Sequence, residues 1–239
     1  MSMSLDIKLR EKEAAFLSQY VSDHKKGLFW QVLEKRTRFL TVVLEDIYQS
    51  QNASAVLRSC DAFGIQDVHV VENRNVFDVD KGVTIGSDKW LDVFRYRQKQ
   101  VNNTELAYRA LRSKGYRIVA TTPHEQQVEL PEYRPERPAA LVFGTEKEGL
   151  TPYAIEQADE WLYIPMHGFS QSFNISVSVA LCLYHLRRYL DEGALDWHLD
   201  NDEKASLYLE WLRKSVHRLP ALQRKFNELL EHGRLKAPD

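Results

Sequence analysis

Three runs follow in close succession: Phe39-Leu-Thr-Val-Val-Leu44, Asn52-Ala-Ser-Ala-Val-Leu-Arg58-Ser-Cys-Asp-Ala-Phe-Gly64 and Asp67-Val-His-Val-Val71. The first and last are short and rich in β-branched residues, while Ala53–Phe63 between them reads as a helix. Working outward, further strands are expected at Leu91–Phe94, Tyr116–Thr121, Ala140–Phe143 and Trp161–Ile164. Helical stretches fall at Thr104–Ser113, Pro152–Ala158 and Ser176–Leu190. Strand and helix in alternation predict an α/β domain with a mainly parallel sheet. Thr151-Pro152 is a helix start, a capping hydroxyl followed by proline at the first helical position. The helix from Ser176 is apolar nearly all round and is expected to be buried on more than one side.

Outside that domain the period is helical. Residues 1–38 read as two amphipathic helices broken near Gly27, with eight Lys/Arg against five Asp/Glu. After Glu192-Gly193, Leu207, Tyr208, Trp211, Leu212 and Val216 form one stripe, and Leu222, Phe226, Leu229 and Leu230 form another beyond Pro220. The expected division is therefore a helical arm at 1–38, the α/β domain at 39–190 and a helical extension at 191–239.

Composition narrows the function classes. The 239 residues are 44% apolar and 28% charged, with 32 Lys/Arg against 34 Asp/Glu. A net charge of −2 leaves nucleic-acid binding to local patches. The longest apolar run, Val177 to Tyr184, is far too short to cross a bilayer, and the first residues carry no signal-peptide pattern. Cys60 and Cys182 are read as inert core thiols, and the eight histidines are scattered, so no metal site is expected. A cytoplasmic, membrane-free and metal-free protein is the expectation.

Three common ligand motifs are missing. No Gly-x-Gly-x-x-Gly follows the first strand, where Glu45-Asp-Ile-Tyr-Gln-Ser-Gln-Asn52 stands. Gly144-Thr-Glu-Lys-Glu-Gly149-Leu-Thr151 has the glycine spacing of a P-loop, but leucine replaces its lysine and two glutamates would repel phosphate. No Gly-x-Ser-x-Gly elbow is present either. Three other segments stand out. Arg58 lies mid-run in an apolar helix, which by itself equally fits a surface arginine flanking a core stripe. Ala140–Phe143 runs straight into the Gly144–Gly149 loop, and ligands in open α/β sheets bind beyond such strand ends. Ile164-Pro-Met-His-Gly-Phe-Ser-Gln-Ser-Phe-Asn-Ile-Ser176 supplies backbone N–H groups and neutral hydrogen bonders, suited to an adenine or a hydroxyl. Helix capping by Asn174 or Ser176 is expected alongside any such role.

In this order and spacing, from about Phe39 to Arg188, the segments resemble the three motifs of the SPOUT (SpoU) class of RNA 2′-O-methyltransferases. The resemblance is closest to the branch that methylates the D-loop guanosine at position 18 of tRNA. It implies an α/β domain closed by a C-terminal trefoil knot, a homodimer formed through the knot region, and S-adenosyl-L-methionine (S-adenosylmethionine) as the methyl donor. It also implies catalytic roles for Asn52, Arg58, Glu146, Ser172 and Asn174, and donor contacts at Thr121, Gly144, Ile164 and Phe173. Phe173 departs from the leucine common in the family, and Ser170 also differs. In this resemblance Arg58 is the usual base, but a guanidinium stays protonated. A cationic stabiliser of the developing alkoxide, oriented by Asn52, is the chemically sounder role. Glu146 then orients Arg58 or the Ser172–Asn174 loop.

Basic residues supply candidate RNA contacts: Arg36 and Arg38 in the arm, Arg188, and Arg213, Lys214 and Arg218 in a stretch free of acids. Each such cluster also fits an ordinary solvated face. Helical extensions at both ends, in place of a separate α/β RNA-binding domain, resemble the tRNA branch. The competing expectations are a ribosomal-RNA ribose methyltransferase and a knotted RNA-binding protein without catalysis.

Overall fold

The computed structural model describes residues 2–123 and 127–232. Seven strands are present among them: β1 (Leu40–Glu45), β2 (Asp67–Val71), β3 (Asp92–Tyr96), β4 (Arg117–Thr121), β5 (Val128–Glu129), β6 (Ala139–Phe143) and β7 (Glu160–Tyr163). The helices are α1 (Ser2–Ser18), α2 (Asp23–Leu33), α3 (Ser50–Ala62), α4 (Lys81–Thr84), α5 (Asn103–Ser113), α6 (Pro152–Glu156), α7 (Ile175–Glu192), α8 (Asn201–Ser215) and α9 (Leu219–Glu231).

The strands form one parallel sheet in the order β3-β2-β1-β6-β4-β7-β5. At its centre β1 and β6 pair from Leu40↔Ala139 to Leu44↔Phe143, and every residue of both is buried. Burial on both faces is why these strands read as continuous apolar runs rather than alternating ones. Side chains still alternate in direction. Leu40, Val42 and Leu44 join Leu57, Cys60, Val179 and Leu186 on one face. Val43 and Val142 join Ala107, Leu111 and Ala154 on the other. The strand order reverses direction between β1 and β6, and at such a point the carboxyl ends leave a crevice. Both expected core thiols, Cys60 and Cys182, are free and buried.

The expected division of the chain changes in two ways. The segments up to Arg36 and from His198 onward form one helical unit, and Thr37–Trp197 forms the α/β unit. Residues 191–197 stay with the sheet because Trp197 anchors them. Its indole N–H donates to the Leu190 carbonyl at 3.0 Å, its carbonyl accepts from the Thr37 hydroxyl at 2.6 Å, and the Arg187 guanidinium lies 3.7 Å over its ring. The break between the first two helices lies at residues 19–22, not near Gly27. Ser22 caps α2, and Gly27 sits inside it with open space around its Cα.

The helical unit buries Phe16, Leu17, Phe29, Leu33, Leu207, Trp211 and Phe226. Three expected RNA contacts are engaged in packing. Arg36 is 1% exposed, with its guanidinium over the Trp211 ring. Arg213 makes a two-pronged bond to Glu13 at 2.9 and 2.6 Å and also pairs with Glu210. In the α/β unit, Arg38 bridges Asp67 and Asp92 at 2.9 Å each, tying the starts of β2 and β3. Burial pushes the Asp67 carboxyl above its ordinary range, with Arg38 opposing. Lys214 and Arg218 are exposed, and Arg188 is exposed in an i,i+4 pair with Glu192.

Candidate active site

Beyond the carboxyl ends of β4, β6 and β7 lies a cleft of about 220 Å³. Thr121, Gly144, Ile164 and Phe173, the four expected donor contacts, all line it. Glu146 and Ser172 line it too. The sheet explains this convergence, since β4 and β7 are paired and β4 also pairs with β6, so their terminal loops emerge side by side.

The Gly144–Gly149 loop folds back on itself. Thr145 and Gly149 exchange backbone hydrogen bonds of 2.9 and 3.1 Å, and the Glu148 amide donates to the Thr145 hydroxyl. This closure brings Gly149 onto Gly144 so tightly that a Cβ on Gly144 would stand 2.1 Å from the Gly149 carbonyl carbon and oxygen. The glycine at 144 is required by that close approach. At Gly149 the requirement is instead its positive φ of 71°.

The three sequence segments meet in a chain of side-chain bonds. Asn52, 8% exposed in the first turn of α3, donates through Nδ2 to Glu146 Oε1 and to Gln49 Oε1. Its Oδ1 accepts from Asn174 Nδ2 at 3.1 Å. Asn174 caps α7, with its Oδ1 accepting from the Ser176 amide at 2.9 Å and hydroxyl at 2.6 Å. Asn52, Glu146 and Asn174 thus tie the loops after β1, β6 and β7 into one constellation.

Arg58 stands apart. It lies six residues beyond Asn52, about 9 Å along the axis of α3, exposed, without a hydrogen-bond or ion-pair partner among the described residues. It does not line the cleft, and the partners of Asn52 are Gln49, Glu146 and Asn174. Ser172 keeps an exposed position on the rim.

The cleft has apolar walls at Leu162, Ile164 and Phe173, neutral polar groups at Thr121, Thr122, Gln171 and Ser172, and the charged Glu146, Lys147 and Glu148 of the glycine-bounded loop. The Thr121 hydroxyl already donates to the Val142 carbonyl at 2.7 Å, so this residue offers its backbone and methyl to a ligand. Cys182 closes the floor, its thiol pushed up to about 12 by burial and therefore unreactive. Such a set fits an adenosine held by backbone groups between apolar walls. Thr122, Gln171 and Cys182 are lining residues that motif reading missed; their neighbours Thr121, Ser172 and the apolar run of α7 were the available signal.

A tRNA (guanosine(18)-2′-O)-methyltransferase of Borreliella burgdorferi is 38% identical over 216 residues, covering 90% of this chain and 97% of the relative. A protein of the same name from Thermus thermophilus is 34% identical over 186 residues, covering 77% and 93%. Among solved structures, an A. aeolicus TrmH/SpoU tRNA modifying enzyme superposes with a TM-score of 0.72 at 29% identity, covering 82% of this chain and 98% of that one. Residues 39–184 match the model of the SpoU rRNA Methylase family, and the chain belongs to that family.

Proposed function

We propose that this protein is an S-adenosylmethionine-dependent tRNA ribose 2′-O-methyltransferase acting on guanosine 18. The observation that carries this is the Asn52–Glu146–Asn174 constellation, whose Glu146 lines the same cleft as Thr121, Gly144, Ile164 and Phe173 while Asn52 and Asn174 stand behind it. The names of the relatives, similar over most of both chains, favour tRNA over ribosomal RNA.

Bound S-adenosylmethionine supplies a methyl group on a sulfonium, a good leaving group. Thr121, Gly144, Ile164 and Phe173 hold the adenosine end and exclude water. Glu146, through Asn52 and Asn174, fixes the loop that presents the Ser172 hydroxyl at the rim. As the new bond forms the 2′-hydroxyl gives its proton to a phosphate oxygen or a water, and the Arg58 guanidinium, always charged, steadies the developing alkoxide. Orientation and charge stabilisation are the main protein contributions to such a displacement.

Arg58 reaches that position through a homodimer. The face of α7 leaves Val177, Leu181 and Tyr184 exposed at 43%, 37% and 55%, an i, i+4, i+7 apolar stripe of the kind a second copy covers. A two-fold contact there makes each cleft composite. The C-terminal trefoil knot is part of the same proposal. β7 lies between β4 and β5, which are successive in the chain, and α7 then packs beside α3 on the same face of the sheet. Exposed Lys214, Arg218 and Arg188 are the proposed phosphate contacts.

Incubation with labelled methyl donor and unmodified tRNA transcripts, followed by mapping of alkali-resistant linkages, tests the function. One 2′-O-methylguanosine at position 18 is expected; labelling of ribosomal RNA alone, or of a base, refutes it. Heterodimers purified with Arg58→Ala on one subunit and Asn174→Ala on the other test the composite cleft. They retain about half the wild-type activity if Arg58 acts across the interface and almost none if it acts within its own subunit.

A further inference from the structure

We propose that Glu45 is a positioning residue that clamps the Gly144–Gly149 loop and so sets where Glu146 stands; this rests on the transferase function proposed above. Glu45 ends β1 in the centre of the sheet and is 1% exposed. A buried carboxylate is costly unless hydrogen bonds satisfy it. Here both oxygens are used. Oε2 accepts from the Thr151 amide at 2.9 Å, and Oε1 accepts from the Thr151 hydroxyl at 2.9 Å and the Thr104 hydroxyl at 2.5 Å.

Thr151 is the far end of the loop. β6 fixes the near end at Gly144, and the Thr145–Gly149 bonds close the loop between them. Glu45 is thus the group that holds the loop's exit against the sheet. The Thr151 hydroxyl also caps α6 by accepting from the Ala154 amide at 3.2 Å, so the grip on Thr151 orients both the loop and the helix after it. From that anchored loop Glu146 reaches Asn52, and Asn52 reaches Asn174. An apolar side chain at 45 would make none of these bonds. A carboxylate there fixes direction, through two bonds to one residue, at a place where about 1 Å of misplacement costs about 100-fold in rate.

Thr104 provides the control. It donates to the same carboxylate but belongs to α5 and holds no part of the loop. Three variants are compared: Glu45→Gln, Thr151→Val and Thr104→Val. Wild-type methylation of tRNA is measured first, so failure of the transferase function is seen separately. Amide hydrogen exchange over residues 145–151 reads the clamp without any turnover. In Glu45→Gln and Thr151→Val, exchange at the Thr145 and Gly149 amides accelerates and kcat falls about 10- to 100-fold, with KM for tRNA changed less than threefold. Thr104→Val loses thermal stability but keeps kcat within twofold and the loop's exchange pattern. Folded Glu45→Gln or Thr151→Val with wild-type kcat or unchanged exchange at 145–151 overturns the proposal, as does an equal loss of kcat in Thr104→Val. If Glu45→Gln does not fold, Thr151→Val alone decides.

Discussion

Replacing Gly144 by alanine tests whether the loop's tight closure shapes the cleft. The added Cβ would lie 2.1 Å from the carbonyl carbon and oxygen of Gly149 and 2.3 Å from the Leu150 nitrogen, where ordinary contact begins near 3.4 Å. The obstacle is backbone on both counts, so no side chain can swing aside. About 1.3 Å of separation must come from opening the loop, which breaks or stretches the two Thr145–Gly149 hydrogen bonds. Overpacking of this kind costs about 1–3 kcal/mol, and each weakened hydrogen bond adds about 1 kcal/mol. Gly149→Ala is the paired control. Its Cβ meets nothing within 4 Å, and only the φ of 71° penalises it, by about 1–2 kcal/mol. Calorimetric titration with S-adenosylmethionine, beside thermal melting, reads both effects. Gly144→Ala is expected to weaken donor binding at least 10-fold, and more than Gly149→Ala does. Wild-type affinity together with an unchanged melting temperature in Gly144→Ala would show that the loop yields freely, and the argument from close approach fails.

Three other outcomes follow from particular contacts. Burial, reinforced by Lys114, pushes the His69 imidazole down from 6.5 to about 3. Between those values the unfolded chain binds a proton that the folded chain does not, so stability is lost as pH falls, by about 1.4 kcal/mol per unit. Urea titrations should show His69→Gln lacking about 2 kcal/mol of the wild-type loss between pH 6.5 and 5; identical losses in both proteins refute this. Asn52→Asp sets a second carboxylate against Glu146 and removes the donor between them. It should destabilise by about 1–3 kcal/mol in urea titrations. Wild-type stability in the folded variant contradicts that account. Arg213→Ala removes the two-pronged bond to Glu13 and should lower the melting temperature, whereas exposed Lys214→Ala should leave melting unchanged and reduce the salt dependence of tRNA binding by about one counterion. The reverse pattern would place the phosphate contact at Arg213.

The sheet's centre was readable because both its faces are covered. β6 announces itself as an unbroken apolar run and β1 as one interrupted only by Thr41 before its terminal Glu45, and the strand–helix alternation fixes their parallel direction. β5 was invisible for an equally simple reason: two residues, Val128 and Glu129, cannot display a period. The misplaced helix break has a local cause as well. Glycine suggests interruption, yet Gly27 faces open space in α2 and costs only about 1 kcal/mol there, while Ser22 supplies the cap that actually starts the helix. The charge runs could be counted but not placed. Arg213 pairs with Glu13, two hundred positions away, and Arg36 is buried over Trp211, and neither partner is adjacent in sequence.

The site shows the same division between what is local and what is not. Asn174 as a helix cap follows from its position before the Ile175 turn, and Gly144 stands where a strand must end sharply. That Asn52, Glu146 and Asn174 touch depends on bonds spanning 94 and 122 positions, which no local pattern encodes. The family resemblance supplied the residues but set Asn52 beside Arg58, whereas the structure sets it between Glu146 and Asn174. The sheet order supplies the cause: with β1 beside β6, and β4 joining β6 to β7, the loops after β1, β6 and β7 emerge at one edge. Glu45 escaped motif reading because an acid at the end of an apolar strand looks like the first solvent-facing residue. Its 1% exposure reverses that meaning. A carboxylate at the centre of the sheet, whose hydrogen-bond partners among the described residues are donors from Thr104 and Thr151, is there to hold something still, and what it holds is the loop that carries Glu146.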